Sequence, residues 1–238
     1  VRALCTTRAG GVSQPPWDSL NLGLHVCDDP KAVQTNRMLL QQMLGENVRP
    51  VYLQQIHGTT VQALDKNTPD GLPGDASTTT HAGIACTVMM ADCLPVLFTN
   101  CKGTRVAAGH AGWRGLANGV LEATLTCFDD APDDILAWLG PCIGPHAFTV
   151  GADVHAAFCN AMPAAAAHFQ PSEKWQADLA ALARLRLHAA GVTRLCGNDS
   201  TPAWCTVDNP SRFFSHRRDA ALLGSSGRMA ACIWRMDE

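Results

Sequence analysis

Between Met90 and Leu116 the chain reads Met-Ala-Asp-Cys-Leu-Pro-Val-Leu-Phe, a polar connection, then Arg-Val-Ala-Ala-Gly-His-Ala-Gly-Trp-Arg-Gly-Leu. Two apolar runs joined through Thr99-Asn100-Cys101-Lys102-Gly103-Thr104 predict a β-hairpin, since Asn, Gly and Lys suit such a connection. Cys93 stands where the first strand begins and His110 where the second ends. Antiparallel pairing therefore carries both toward the same end of a sheet. Strand formation requires neither residue, so their meeting is read as a site rather than as packing.

A chain of 238 residues can bury a sizeable core, as one large domain or two small ones. No repeat, heptad or low-complexity linker divides it, so one domain over residues 1–238 is expected. A net charge of −3 without a Lys/Arg block argues against a dedicated nucleic-acid binder, which needs a basic stripe. No apolar run approaches the roughly 20 residues that cross a bilayer. The opening Val-Arg-Ala-Leu-Cys-Thr-Thr-Arg shows no basic segment followed by an apolar one, so no secretion signal is expected. Eleven cysteines are scattered, odd in number and without a Cys-x-x-Cys pair. Most are read as buried thiols rather than a disulfide framework, in a cytoplasmic protein.

Residues 1–7 predict a strand. Arg8-Ala-Gly-Gly-Val-Ser-Gln-Pro-Pro-Trp and Ser19-Leu-Asn-Leu-Gly are too rich in Gly, Pro, Ser and Asn for regular structure. They form either a surface loop or a binding loop. In the second reading Arg8 pairs with an anion, glycine N–H groups assist, and Asn21 is a further substrate-binding candidate. Asp29-Pro30 opens a helix with Val33, Asn36, Leu40 and Leu44 at helical spacing and Gly45 as its stop. A strand-like stretch, 50–58, ends at His57-Gly58. Residues 65–75 are read as a turn-rich surface connection or lid, and Gly83–Val88 as a strand.

After His110-Ala-Gly-Trp-Arg-Gly, a helix is expected over Leu116–Phe128. A glycine-rich turn feeding a helix start favours an anion, and Arg114 adds a positive charge there. Ile135–Leu139 predicts a strand and 140–145 a non-helical turn. Helices are expected near Asp153–Ala161 and over Trp175–Ala190, the latter with Leu179, Leu182, Leu185 and Ala189 facing the core. Residues 161–173 are expected to be a connection of limited order. Val192–Cys196 and Met229–Trp234 predict strands. Between them, Arg212-Phe-Phe-Ser-His-Arg-Arg-Asp219 is either a solvated face or a pocket wall, with Arg217 as its substrate-binding candidate.

His57, Cys93 and His110 each lie at or just past the end of an expected strand. Two imidazoles and a thiolate suit Zn²⁺, and three protein ligands leave a fourth position open, the pattern of catalytic zinc. Such a site supplies hydroxide at neutral pH by lowering the pKa of a bound water to about 7. The same residues without metal make Cys93 a nucleophile and His110 its base. Copper is also compatible with the ligand set.

The motifs Thr6-Thr-Arg-Ala-Gly-Gly-Val-Ser, Ser19-Leu-Asn-Leu-Gly, Gln54-Gln-Ile-His-Gly, Ala91-Asp-Cys-Leu-Pro-Val, Gly109-His-Ala-Gly-Trp-Arg-Gly, Gly140-Pro-Cys-Ile-Gly, Phe213-Phe-Ser-His-Arg-Arg-Asp and Gly227-Arg-Met-Ala follow one another along the chain. In that order the chain resembles the YfiH family, laccase-domain proteins also described as multicopper polyphenol oxidases and as purine nucleoside phosphorylases. The resemblance implies zinc on His57, Cys93 and His110, which then serve as catalytic residues. It also implies an α+β fold with mixed β-sheets layered between outer helices, a layout shared with certain cysteine-hydrolase-like toxins. The implied reactions are phosphorolysis of adenosine, inosine and methylthioadenosine to free base and ribose-1-phosphate, with adenosine deamination. A link of the family to peptidoglycan editing supplies an alternative, and copper-dependent phenol oxidation another. Phosphate is assigned to Arg8 and Arg114 from charge and loop chemistry. His216 departs from the pattern, where the family commonly has Tyr.

Overall fold

The predicted hairpin forms the centre of the larger of two main sheets in the computed structural model, which describes residues 1–236. Strands β6 (Leu94–Asn100) and β7 (Val106–Ala111) pair antiparallel, with Leu94 opposite Ala111 and Pro95 opposite His110. Asn100 shapes the connection, its Oδ1 accepting the N–H groups of Thr104 and Arg105 at 2.9 and 3.3 Å. On one side β6 pairs with β8 (Ile135–Leu139), and β8 runs parallel to β12 (Arg194–Gly197). On the other, β7 pairs with β4 (Ala76–Thr79), which runs parallel to β3 (Val61–Ala63).

The second sheet holds β1 (Arg2–Cys5), β13 (Met229–Trp234), β5 (Ile84–Met90) and β2 (Arg49–Tyr52), in that spatial order. Every residue of β5, β7 and β13 is buried, which explains why they read as continuous apolar runs rather than alternating ones. Val88, Met90, Ala231 and Ile233 from this sheet meet Leu97, Val106 and Ala108 from the larger one in a shared core.

Helices cover the outer faces. Helix α1 (Pro30–Leu44) lays Leu40 and Leu44 on the smaller sheet, against Tyr52, Met89, Cys232 and Trp234. Its buried residues are the predicted Val33, Asn36, Leu40 and Leu44, and its Asp29 cap accepts the Lys31 N–H. The larger sheet is covered by α2 (Trp113–Asn118), α3 (Val120–Leu125), α4 (Ala152–Cys159) and α5 (Leu179–Ala189). A small sheet of β9 (Thr149–Val150), β10 (Phe169–Pro171) and β11 (Trp175–Ala177), ordered β10-β11-β9, sits beside them. The layered α+β architecture is as expected. No helix among the described residues is long and apolar enough to cross a membrane.

Several stretches differ from expectation. The helix over Leu116–Phe128 is two helices, because Gly119 adopts φ 96°, a left-handed turn that ends α2 and caps α3. The segment Trp175–Ala190 begins as β11 and becomes helical only after Asp178, whose carboxylate accepts the Ala181 N–H. Along α5, Leu187 is buried, whereas Leu185 is only partly buried and Ala189 is exposed. Residues 161–173 are ordered by a 3-10 turn over Pro163–His168 and by β10. The second half of Arg212–Asp219 belongs to helix α6 (His216–Leu223). All eleven cysteines are free. Cys86, Cys142, Cys205 and Cys232 are buried, while Cys27, Cys101 and Cys196 are exposed, so the expected burial holds for part of the set.

Candidate active site

The register of β6 and β7 brings Cys93 and His110 together, and a third segment delivers His57. Ile56, His57 and Gly58 all donate their backbone N–H groups to the carboxylate of Asp75, at 3.1, 2.8 and 2.7 Å. Asp75 is fully buried just before β4. Its backbone carbonyl accepts the His110 N–H at 2.7 Å, and its Oδ1 lies 2.9 Å from His110 Nδ1. One carboxylate thus ties the 56–58 turn to the end of the hairpin. Burial alone would raise its pKa, but the bonds from His110, Gly58 and His57 outweigh that and lower it.

Backbone conformation is unusual at both sides of the cluster. His57 has φ 60° and Asp92 has φ 86°, a region costing non-glycine residues about 1–3 kcal/mol each. The Asp75 cradle holds the first. Asp92 holds the second and reaches outward, accepting the Thr206 hydroxyl and the Arg217 N–H at 2.6 Å each. That second bond fastens the start of α6 beside Cys93. Gly112 leaves room: a Cβ there would stand 2.6 Å from His57 Cδ2 and 3.0 Å from Cys93 Sγ.

The possible ligand atoms of His57, Cys93 and His110 all lie within 4.8 Å of one another. Cys93 Sγ stands 3.7 Å from His57 Nε2, against about 3.6 Å expected between sulfur and nitrogen on a tetrahedral zinc. The Asp75 bond to Nδ1 of His110 leaves Nε2 free to ligate, the carboxylate–histidine arrangement found behind zinc ligands. These residues fit a metal. Burial would raise the Cys93 thiol, yet the charge of His110 and hydrogen bonds from both histidines bring it down to about 6. Burial likewise opposes charging of His110, but Cys93 and Asp75 lift it to about 9. Both shifts run toward a thiolate–imidazolium pair when no metal is bound.

The cluster opens into a cavity of about 610 Å³. Trp113, Phe148 and Met89 give it apolar walls, and Arg114, Arg217 and Arg228 give it positive charge. Arg114 is exposed, with its guanidinium 4.3 Å over the Trp113 ring. Arg217 donates to the carbonyls of Ala147 and Thr149 at 3.1 and 3.3 Å. His216 lines the same wall.

The other two sequence candidates lie elsewhere. Arg8 donates to the Asp18 carboxylate at 3.0 Å and to the carbonyls of Asp18 and Pro210 at 2.7 and 3.0 Å, and it stacks on Phe214. It is not among the cavity's lining residues, and its fork closes the 8–18 loop. Asn21 is fully buried and also outside the lining. Asp75, Asp92 and Arg228 were not singled out from sequence. Asp75 lies in an unpatterned loop, and only the general need of a metal-bound His for a carboxylate partner would have prompted the search.

The multi-copper polyphenol oxidoreductase laccase family matches residues 2–236. A purine nucleoside phosphorylase of Pseudomonas aeruginosa is 50% identical over 240 aligned residues, covering 100% of this chain and 94% of that protein. The Escherichia coli purine nucleoside phosphorylase YfiH is 49% identical, covering 98% and 93%. Among solved structures, a Neisseria meningitidis protein superposes with a TM-score of 0.91 at 49% identity, covering 99% of this chain and 94% of its own. YlmD of Geobacillus stearothermophilus superposes at 0.87 with 34% identity, covering 99% and 92%.

Proposed function

This chain belongs to the YfiH family of laccase-like proteins, and from that membership we propose that it is a zinc-dependent purine nucleoside phosphorylase. The observation that carries the reading is the His57–Cys93–His110 cluster at the base of an apolar and basic cavity, in a chain half identical to relatives named for that activity. Adenosine, inosine and methylthioadenosine are the proposed substrates. Adenosine deamination, the exchange of an amino group for oxygen, is proposed as a side activity.

In phosphorolysis a phosphate oxygen bonds to the anomeric carbon as the glycosidic C–N bond breaks. The electron pair of that bond leaves with the purine, which takes up a proton. Positive charge develops on the sugar and negative charge on the departing base, while the phosphate enters as an anion, so the protein must hold an anion beside an apolar base site. Trp113 and Phe148 offer flat faces for a purine. Arg114 and Arg217 are proposed to face the phosphate side, with no part for Arg8. Zinc bound to the three ligands would supply Lewis-acid polarisation and hydroxide at neutral pH. Asp75 holds His57 and His110 in place for it.

Incubating zinc-loaded protein with adenosine and phosphate is expected to yield adenine and ribose-1-phosphate. Cys93→Ala should lower that rate by two orders of magnitude or more, as removal of a group acting directly on charge in the transition state does (~10²–10³). Parent-like rates in Cys93→Ala, or no free base from the parent, would end this reading. Omitting phosphate isolates deamination, which takes up water and gives inosine and ammonia with no free base.

One observation favours a second reading. The metal-free Cys93 thiolate beside an imidazolium is also the equipment of a cysteine hydrolase, for which peptidoglycan precursors are the proposed substrate. Elemental analysis of the purified protein separates them: stoichiometric zinc supports the phosphorylase, and full activity without metal supports the hydrolase. Multi-copper phenol oxidation is disfavoured, since among the described residues His57, Cys93 and His110 form the one cluster of three such ligands. The free thiols fit a cytoplasmic setting.

A further inference from the structure

Ser19-Leu-Asn-Leu-Gly23 and Gly227-Arg-Met-Ala230 have no part in the chemistry described above, yet the fold joins them. Asn21 Oδ1 accepts the Arg228 N–H at 2.8 Å and the Gly23 N–H at 3.0 Å. Its amide donates to the Asp28 carboxylate at 2.9 Å and to the Gly23 carbonyl at 3.3 Å. The Leu22 N–H donates to the Arg228 carbonyl at 3.0 Å. A Cβ on Gly23 would stand 2.8 Å from Arg228 Cγ. These contacts fix the backbone of Arg228 and clear the path of its side chain into the cavity shared with His57, Cys93 and His110.

The guanidinium is only partly satisfied there. Nη1 donates to the carbonyls of Ser226 and Gly227 at 2.7 and 3.2 Å. Nε and Nη2 have no protein partner among the described residues, and Arg228 forms no ion pair among them. Its surroundings carry both signs: Asp92 and the Cys93 thiolate lie near enough to favour its charge, though neither is ion-paired with it among the described residues. His25, on the same wall, is held below its ordinary pKa by burial and then by the charges of Arg228 and Arg37. A half-buried cation with unused donors is costly unless an anion arrives. Arg114, by contrast, is exposed and its charge is screened by solvent.

We propose that Arg228 is the principal phosphate-binding residue of the cavity and that Asn21 and Gly23 position it. The identity of the anion rests on the phosphorylase reading, whereas the vacant donors stand on geometry alone. A tetrahedral oxyanion can accept from Nε and Nη2 together, the two-pronged contact that an ammonium group does not make.

The test uses zinc-loaded protein, radiolabelled inorganic phosphate in equilibrium dialysis, and steady-state kinetics with inosine. Arg228→Gln should weaken phosphate binding and raise the KM for phosphate about tenfold or more, as loss of a charge-assisted pair does. The KM for inosine should stay within about twofold, because the two ligands are held by different groups. Arg228→Lys keeps the charge without the fork and should fall between the parent and Arg228→Gln. It also preserves the test if Arg228→Gln does not fold. Parent-like phosphate binding in both variants, or no phosphate binding by the parent, would overturn the assignment. Nucleoside cleavage with an unchanged phosphate KM in both variants removes Arg228 and leaves the phosphorylase. Arg228-dependent phosphate binding without nucleoside cleavage removes the phosphorylase and leaves the anion site.

Discussion

Asp75 is the residue on which most of the site's geometry converges, receiving three backbone N–H groups and the ring of His110. Asp75→Asn keeps the shape but loses the charge, and should weaken zinc about 10–100-fold, measured by competition with a chelating dye. Its pKa is lowered in the folded protein, so the carboxylate stabilises the fold above its unfolded value of about 3.9. That contribution disappears as pH falls through the lower folded value. The acid limb of a stability–pH curve should therefore be flatter in Asp75→Asn than in the parent. Cys93 gives a second residue-scale prediction. In metal-free protein its alkylation by iodoacetamide, followed by peptide mass spectrometry, should rise through about pH 6, while exposed Cys27 serves as the internal comparison. Added zinc should protect Cys93 and not Cys27.

At the scale of elements, the site is a junction of ends: the 56–58 turn, the start of β6, the end of β7 and the start of α6. Small residues permit the junction. Gly112→Ala would bring a Cβ to 2.6 Å from the His57 ring, so loss of zinc is expected with little change in secondary structure by circular dichroism. The 8–18 loop is a different kind of element, closed by Arg8 upon Asp18 and Pro210. Arg8→Gln should cost on the order of 1 kcal/mol of stability in chemical denaturation and leave the KM for phosphate where it was. Local sequence showed β8, β13 and the buried face of α1 because each is set by apolar periodicity and caps. The break at Gly119 and the strand at Trp175–Ala177 were hidden, since a lone glycine and a three-residue strand leave weak local signals that neighbours decide.

For the whole molecule, two sheets share one core and helices close both outer faces. Phe98, fully buried in β6, anchors the larger sheet to its helices, and Phe98→Ala should lower stability by about 3–5 kcal/mol in urea unfolding. The cluster itself was legible from residue chemistry: His57, Cys93 and His110 are uncommon side chains for strand ends, and register carries two of them together. Their carboxylate support and the basic wall were not legible. Asp75 lies 18 residues from His57 and 35 from His110, Arg228 lies at least 118 residues from each of the three ligands, and even Asp92, adjacent to Cys93, acts on Thr206 and Arg217 far along the chain.

The amino-acid sequence by itself determined the hairpin, the Asp29 cap and buried face of α1, and the three metal-suited side chains, while the layered class of fold came from the family resemblance. The former properties follow from hydrophobic period, turn chemistry and ligand type, all of which are local. Which arginine is left with unused donors inside the cavity was decided only by tertiary structure. Arg8, Arg114, Arg217 and Arg228 carry the same guanidinium. One closes a loop, one is exposed on a tryptophan, one donates to two carbonyls, and Arg228 alone of the four is half-buried with Nε and Nη2 unpartnered among the described residues. Charge is a property of the residue, but availability depends on burial and on hydrogen-bond partners brought from distant parts of the chain.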